Sequence, residues 1–148
     1  MKTPFLSITT LATALFAGAA LAQPTPVGLW KTIDDETGKA KSFVRIVDDG
    51  GVLVGRIEKL IDPAKADAVC DACTDARKGK PILGMTILEG VTKSADEAAW
   101  DGGSILDPNN GKTYKVRLTP KDGGKALDVR GYIGLPLLGR TQTWQRAE

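Results

Sequence analysis

The stretch that decides the fold is Gly28-Leu29-Trp30, and the chain ends on Arg140-Thr141-Gln142-Thr143-Trp144-Gln145-Arg146. Between these two stretches the hydrophobic pattern repeats mostly every second residue, and turn signals recur about every ten residues. Such a pattern indicates a series of short strands joined by tight turns. We therefore predict that the first and last strands pair with each other and close a small β-barrel around Trp30.

The spacing of the turn signals divides the chain into eight strands. Asp48-Asp49-Gly50-Gly51 and Asp107-Pro108-Asn109-Asn110-Gly111 are the strongest of these signals, because Asp, Asn and Gly tolerate the left-handed backbone of tight turns. Eight antiparallel strands joined mostly by hairpins favour an all-β, up-and-down barrel, with a two-sheet β-sandwich as the alternative. The predicted strands span about 27–33, 41–47, 52–60, 84–92, 99–106, 113–119, 126–133 and 140–146.

The first 22 residues have the features of a cleaved signal peptide. Lys2 is followed by an almost uncharged apolar run, and Ala20-Leu21-Ala22 gives the small-x-small pattern after which a signal peptidase cuts. The apolar run is short for a membrane span, and no stop-transfer charges follow it. We therefore expect one mature domain, residues 23–148, exported to a periplasm or secreted, without stable insertion in a membrane.

Composition excludes several function classes. The chain has 20 Lys and Arg against 18 Asp and Glu, and the two signs are intermixed, which argues against a nucleic-acid partner. The chain has no histidine, which removes Ser-His-Asp and Cys-His catalysis and most zinc sites. We therefore expect no catalytic residue, no metal site and no cofactor.

The Gly28-x-Trp30 pattern resembles the signature of the lipocalins. The resemblance implies that Trp30 plugs one end of the barrel and that a basic side chain near the last strand packs over its ring. A cation held against an aromatic face contributes about 1 kcal/mol or more when it is shielded from water. Arg140 and Arg146 are the candidates for this barrel closure, and Arg146 is our choice.

A second resemblance covers nearly the whole mature chain. Its motifs look like those of one secreted bacterial family, known only as domain of unknown function 2147. The resemblance implies a lipocalin-like barrel in an exported protein and no established activity. The motifs are Gly28-Leu29-Trp30-Lys31-Thr32, Cys70-x-x-Cys73, residues 100–108, Gly111-Lys112-x-Tyr114, residues 129–134 and residues 139–144.

Cys70 and Cys73 lie in a long segment, residues 61–80, that interrupts the rhythm of the strands. In an exported protein, two cysteines at this spacing are expected to form a disulfide that shapes the segment. A redox-active pair and a metal site are the alternatives. No thioredoxin-like βαβ pattern surrounds the pair, and a zinc site would need further ligands from carboxylates or a second chain.

Arg130, Tyr132 and Arg45 are candidates for holding an anionic head group. An Arg-x-Tyr pair holds a carboxylate in fatty-acid-binding barrels, because guanidinium and phenol both donate hydrogen bonds to it. Strand alternation leaves two orientations open for Arg130 and Arg45. Either they point to solvent, or they point into the barrel, where a lone Arg must be paired or meet an anion.

Tyr114, Val116 and Leu118 share one face of a cleanly alternating strand, and we expect them to point into the barrel. Core packing is their simplest role, and ligand contact is the alternative. The leading functional hypothesis is thus a binding protein for a small, mainly apolar or amphipathic ligand, with an anionic head group as one option.

Two further functions remain open. Leu135, Leu137 and Leu138 form an apolar loop through which the protein could self-associate as a non-enzymatic component of the cell envelope. The third hypothesis is a thiol-disulfide redox protein that uses Cys70 and Cys73.

Overall fold

The computed structural model describes residues 4, 18, 23–95 and 97–148. The predicted signal peptide, residues 1–22, lies outside these ranges apart from positions 4 and 18, and its cleavage stays a prediction. Among the described residues, no helix is both long and apolar enough to cross a membrane.

The described chain forms a closed antiparallel barrel of eight strands, each paired with its neighbours in sequence. This confirms the predicted architecture, and the alternative β-sandwich is wrong. The strands are β1 (Gly28–Ile33), β2 (Ala40–Asp49), β3 (Val52–Leu60), β4 (Thr86–Lys93), β5 (Trp100–Asp107), β6 (Lys112–Lys121), β7 (Ala126–Tyr132) and β8 (Arg140–Arg146).

Alternation along the strands builds the core. In β2 the side chains of Val44 and Ile46 are fully buried, whereas Arg45 between them is only partly buried. In β6 Val116 and Leu118 are fully buried in the same way. Because successive side chains point to opposite faces of a strand, one face of each strand fills the barrel and the other meets solvent.

The barrel closes where β1 meets β8. Trp30 pairs with Arg146 and Lys31 with Gln145, and the backbone N–H of Ala147 donates to the carbonyl of Leu29 over 2.8 Å. The indole of Trp30 is fully buried, and its Nε1 donates a hydrogen bond of 2.7 Å to the carbonyl of Pro26. We call this end of the barrel the closed end.

The opposite end is the mouth, which we define by the four connections that surround it: residues 34–39, 61–85, 108–111 and 133–139. Residues 61–85 form the longest of these, and we call this segment the lid. A short 3₁₀ turn, Pro63–Lys65, lies near its start, and an isolated bridge joins Val69 to Pro81. The long irregular segment seen in the sequence therefore lies at one end of the barrel.

Candidate ligand-binding site

A cavity of about 430 Å³ occupies the half of the barrel next to the mouth. Its volume falls within the range of about 300–1,000 Å³ that small-molecule sites span. The walls are mainly apolar and come from strands on all sides, with Lys65, Ala68 and Ile82 contributed by the lid. The larger apolar lining residues are Ile57, Leu60, Ile82, Ile87, Ile105, Leu106, Val129 and Trp144.

A buried hydroxyl pair forms one polar spot in this wall. Thr32 Oγ1 and Ser42 Oγ lie 2.9 Å apart, and the backbone N–H of Ser42 donates to Thr32 Oγ1 over 3.1 Å. Both residues are buried, and both line the cavity. Buried hydroxyls that are hydrogen-bonded to each other need no further partner. This pair therefore makes part of the wall polar, but it does not require a charged ligand.

A line of polar contacts runs along β8 from the cavity to the mouth. Trp144 Nε1 donates to Gln142 Oε1 over 3.2 Å, and Gln142 Nε2 donates to Asp35 over 3.3 Å. Arg140 donates to both carboxylate oxygens of Asp35, at 2.5 Å and 2.6 Å. These alternate β8 residues share the inner face of the strand, so they reach the same cavity at different depths.

Charge in the cavity is confined to its mouth. Among the lining residues that the structure describes, the charged ones belong to the connections around the mouth or to the strand ends beside them. The Arg140 guanidinium beside Asp35 holds the pKa of that carboxyl below its usual range, and Asp35 in turn raises the pKa of Arg140. These charged residues are Asp34, Glu36, Lys41, Lys65, Asp107 and Arg140.

The disulfide lies within the lid and packs against the barrel. Cys70 and Cys73 are bonded to each other, as predicted, and both are buried. They lie against the β5–β6 turn, where Cys70 Sγ is 3.6 Å from the carbonyl of Pro108. Gly111 in the same turn has φ near +71°, and a Cβ there would collide with the carbonyl of Ala72. Only glycine lets the lid approach this turn so closely.

The sequence profile of one bacterial family matches residues 28–146 of the chain. The profile is described as "Uncharacterized protein conserved in bacteria (DUF2147)". The chain belongs to this family. No curated protein matches the chain.

A solved structure is similar to the DUF2147 chain in fold. It is protein HP1028 from the human pathogen Helicobacter pylori, described as belonging to the lipocalin family. The two proteins are 23% identical, the match covers 85% of each chain, and the TM-score is 0.72. At this identity the likeness establishes a lipocalin-like fold and leaves function open.

Of the residues singled out on β6, the DUF2147 barrel brings only one to the cavity. Tyr114 lines the cavity near the mouth, and its hydroxyl accepts a hydrogen bond of 2.9 Å from Asn110. Val116 and Leu118 point inward too, but they are fully buried in the core nearer the closed end. This position matches core packing, the simplest role expected from the sequence, because side chains fill the barrel nearer the closed end.

Arg45 lies on the outer face of the DUF2147 barrel, which corrects its candidacy as an internal anion site. Its guanidinium pairs with Glu58 at 3.2 Å and with Glu148 at 2.9 Å. The buried neighbours Val44 and Ile46 occupy the inner face of β2, so alternation forces Arg45 outward.

Arg130 and Tyr132 lie on the outer face as well. They alternate along β7 with Val129 and Gly131, which line the cavity. The guanidinium of Arg130 donates to the carbonyls of Pro136 and Leu137 and to Thr141 Oγ1. Arg130 therefore braces the β7–β8 connection. Its candidate role as a head-group ligand, and that of Tyr132, is corrected accordingly.

Sequence reasoning missed the wall residues supplied by β8. Gln142 and Trp144 stand two and four residues after Arg140, so alternation alone would have placed all three on one face. In the sequence, however, Arg140 was interpreted only as a possible cation for the ring of Trp30. That partner is Arg146, whose guanidinium carbon lies 4.2 Å from the ring centroid of Trp30.

Among residues 23–95 and 97–148, no three side chains of the kinds that bind metals come together, and the two cysteines are bonded to each other. The buried sulfurs are also shielded from an attacking thiolate, which thiol–disulfide exchange requires.

Proposed function

We propose that this DUF2147 protein binds a small, mainly apolar molecule inside its barrel. The observation that carries the proposal is the cavity of about 430 Å³, walled by apolar side chains and placed between a plugged end and a mouth. A preformed, largely apolar cavity with a few polar groups is the usual form of a small-molecule site.

The distribution of polarity favours insertion of the apolar part of the ligand first. The deep wall carries Ile57, Val129 and Trp144, together with the self-satisfied Thr32–Ser42 pair. Charged lining residues gather at the mouth, where water can reach them. Since burying a charge without a partner is costly, a polar or anionic head group would remain at the mouth.

The experiment is to block the cavity from the lid. Ala68 lines the cavity from the lid and is only partly buried, so Ala68→Trp would place an indole at the mouth without replacing a side chain of the core. We expect the affinity for the fluorescent apolar probe N-phenylnaphthylamine to fall at least about tenfold, because the indole takes the space of the probe.

Ala76→Trp is the matched control, since Ala76 is an exposed lid residue outside the cavity. Probe binding should be unchanged in this variant. Equal binding by the wild type and by Ala68→Trp would mean that the probe does not enter the barrel, and the proposal would fail.

Export and a non-catalytic role are part of the same proposal. A bacterial family and a buried disulfide support an oxidising compartment, either a periplasm or the exterior. The burial of both sulfurs supports a structural disulfide over a redox centre. Detection of the mature chain beginning at Gln23 in a periplasmic extract would test the compartment.

A second candidate function is self-association through the β7–β8 connection. Leu135, Leu137 and Leu138 have 66%, 88% and 77% of their surface exposed, which is unusual for clustered leucines. If they form an interface, Leu137→Ser combined with Leu138→Ser should convert a dimer to a monomer in sizing chromatography. An unchanged elution volume would exclude this function.

A further inference from the structure

The rim of the cavity already holds a carboxylate. Asp35 lies in the β1–β2 turn, and its two oxygens accept hydrogen bonds from Arg140 at 2.5 Å and 2.6 Å. A third hydrogen bond of 3.3 Å comes from Gln142 Nε2. Two parallel bonds from a guanidinium to a carboxylate are a geometry that recognises this group specifically. The rim therefore contains a working carboxylate site that the protein fills with its own side chain.

The donors of this site belong to the cavity, whereas the acceptor does not. Arg140 and Gln142 both line the cavity, and Gln142 is bonded in turn to Trp144 in the cavity wall. Asp35 approaches the same donors from the turn outside the lining. A carboxylate on a molecule inside the barrel would thus meet the same two side chains from the other side.

The position of the contact explains how Asp35 could leave without harm to the fold. In the described chain, the backbone pairing between β1 and β8 comprises Trp30–Arg146, Lys31–Gln145 and the hydrogen bond from Ala147 to Leu29, all of which lie nearer the closed end. At the mouth, the contact of Asp35 with Arg140 and Gln142 bridges these two edges through side chains alone. Breaking it would cost an ion pair with an exposed Arg140 and no backbone hydrogen bond.

We propose that Arg140 and Gln142 form the head-group subsite of the cavity, and that Asp35 is a built-in competitor that occupies the subsite until an amphipathic carboxylate displaces it. The inference rests on the proposed function, and it narrows the ligand to an apolar chain or ring system that bears a carboxylate. Glu36, which lies 3.3 Å from Arg140, would retain part of the contact with the guanidinium after Asp35 leaves.

The experiment compares decanoate with decanol by isothermal titration calorimetry. The two probes share an apolar chain and differ in the carboxylate. For Asp35→Asn we expect decanoate to bind about two- to fivefold more tightly, the scale of one exposed ion pair removed from competition. For Arg140→Gln we expect decanoate to bind roughly five- to tenfold more weakly, because the bidentate donor is lost. Decanol should bind equally to all three proteins.

Arg117→Gln is the matched control. Arg117 pairs with Asp101 at 3.1 Å on the outer wall, so its loss removes an ion pair of the same kind without touching the rim. This variant should bind both probes like the wild type. Thermal melting of each variant verifies that the barrel is folded before titration.

The outcomes separate the subsite from the proposed function. If both probes bind but decanoate is insensitive to Asp35→Asn and Arg140→Gln, the subsite is overturned and the binding function stands. Weaker decanoate binding in Asp35→Asn would also overturn it, since Asp35 would then support the site instead of competing for it. If neither probe binds the wild type, the proposed function itself is contradicted.

Discussion

At the scale of single residues, Arg146 shows how one side chain joins distant parts of the chain. Its guanidinium lies over Trp30 and donates to the carbonyls of Thr25, Val27 and Gly124. Burial lowers its pKa, and its donors are taken up by backbone oxygens, including that of Glu148 at 3.3 Å. Arg146 thus holds the segment before β1 and the β6–β7 connection against the plug.

Replacement of this side chain gives a first prediction. Arg146→Ala should lower the free energy of unfolding by about 3 kcal/mol, because four backbone oxygens lose a charged donor and Trp30 loses its cation. Urea denaturation followed by tryptophan fluorescence measures the change. Arg146→Lys is the control and should lose roughly half as much, since it keeps the charge but not the planar set of donors. Equal stability of Arg146→Ala and wild type would contradict this assignment.

At the scale of elements, the lid depends on a few fixed points. The disulfide packs against the β5–β6 turn, and Gly111 allows the two segments to touch. At the far end of the lid, Arg77 donates to the carbonyl of Thr86 over 3.1 Å and pairs with Asp75 at 2.6 Å. The lid is therefore fixed to the start of β4 and to the β5–β6 turn.

Removal of the disulfide gives a second prediction, at the scale of this element. The double variant Cys70→Ala with Cys73→Ala should lose about 2 kcal/mol, as expected for a short closed loop. Hydrogen exchange should accelerate in residues 61–85, because the lid loses its anchor on the β5–β6 turn. The strands of the closed end should keep their protection. Uniform acceleration along the whole chain would show that the disulfide supports the barrel and not the lid.

At the scale of the whole molecule, the barrel has two chemically different ends. The closed end rests on Trp30, Arg146 and carbonyl groups, which do not titrate in the acid range. The mouth holds carboxylates with lowered pKa values. A backbone N–H of Thr37 lowers the pKa of Asp34, Arg140 lowers that of Asp35, and Arg77 lowers that of Asp75.

This difference gives a third prediction, on pH. A carboxyl whose pKa is lower in the folded state stabilises the fold above its unfolded pKa of about 3.9, and the stabilisation disappears as pH falls through the folded value. The mouth should therefore loosen below about pH 4 while the closed end remains ordered. Hydrogen exchange measured at successive pH values shows which end of the barrel loses its protection first.

Asp35→Asn is the control for the pH prediction. It removes one of the titrating groups, so the acid-dependent loosening around residues 34–39 should become weaker. Loss of protection at the closed end before the mouth would contradict the assignment of acid sensitivity to these carboxyls.

The sequence by itself indicated the eight strands, their turns and the disulfide, because alternation, turn residues and cysteine spacing act within a few residues of each position. The closure of the barrel between β1 and β8 was a prediction that no local rule supplies, and the structure confirms it. Alternation also predicted that Tyr114, Val116 and Leu118 point into the barrel, because every second side chain of a strand lies on the same face.

Only the tertiary structure decided where the barrel is filled and where it is empty. Val116 and Leu118 differ from Tyr114 by depth along the barrel axis, and depth depends on the stagger of all eight strands together. The contact of Asp35 with Arg140 joins residues 105 positions apart in sequence. No local pattern records such a pair, because the closure of the barrel brings them together.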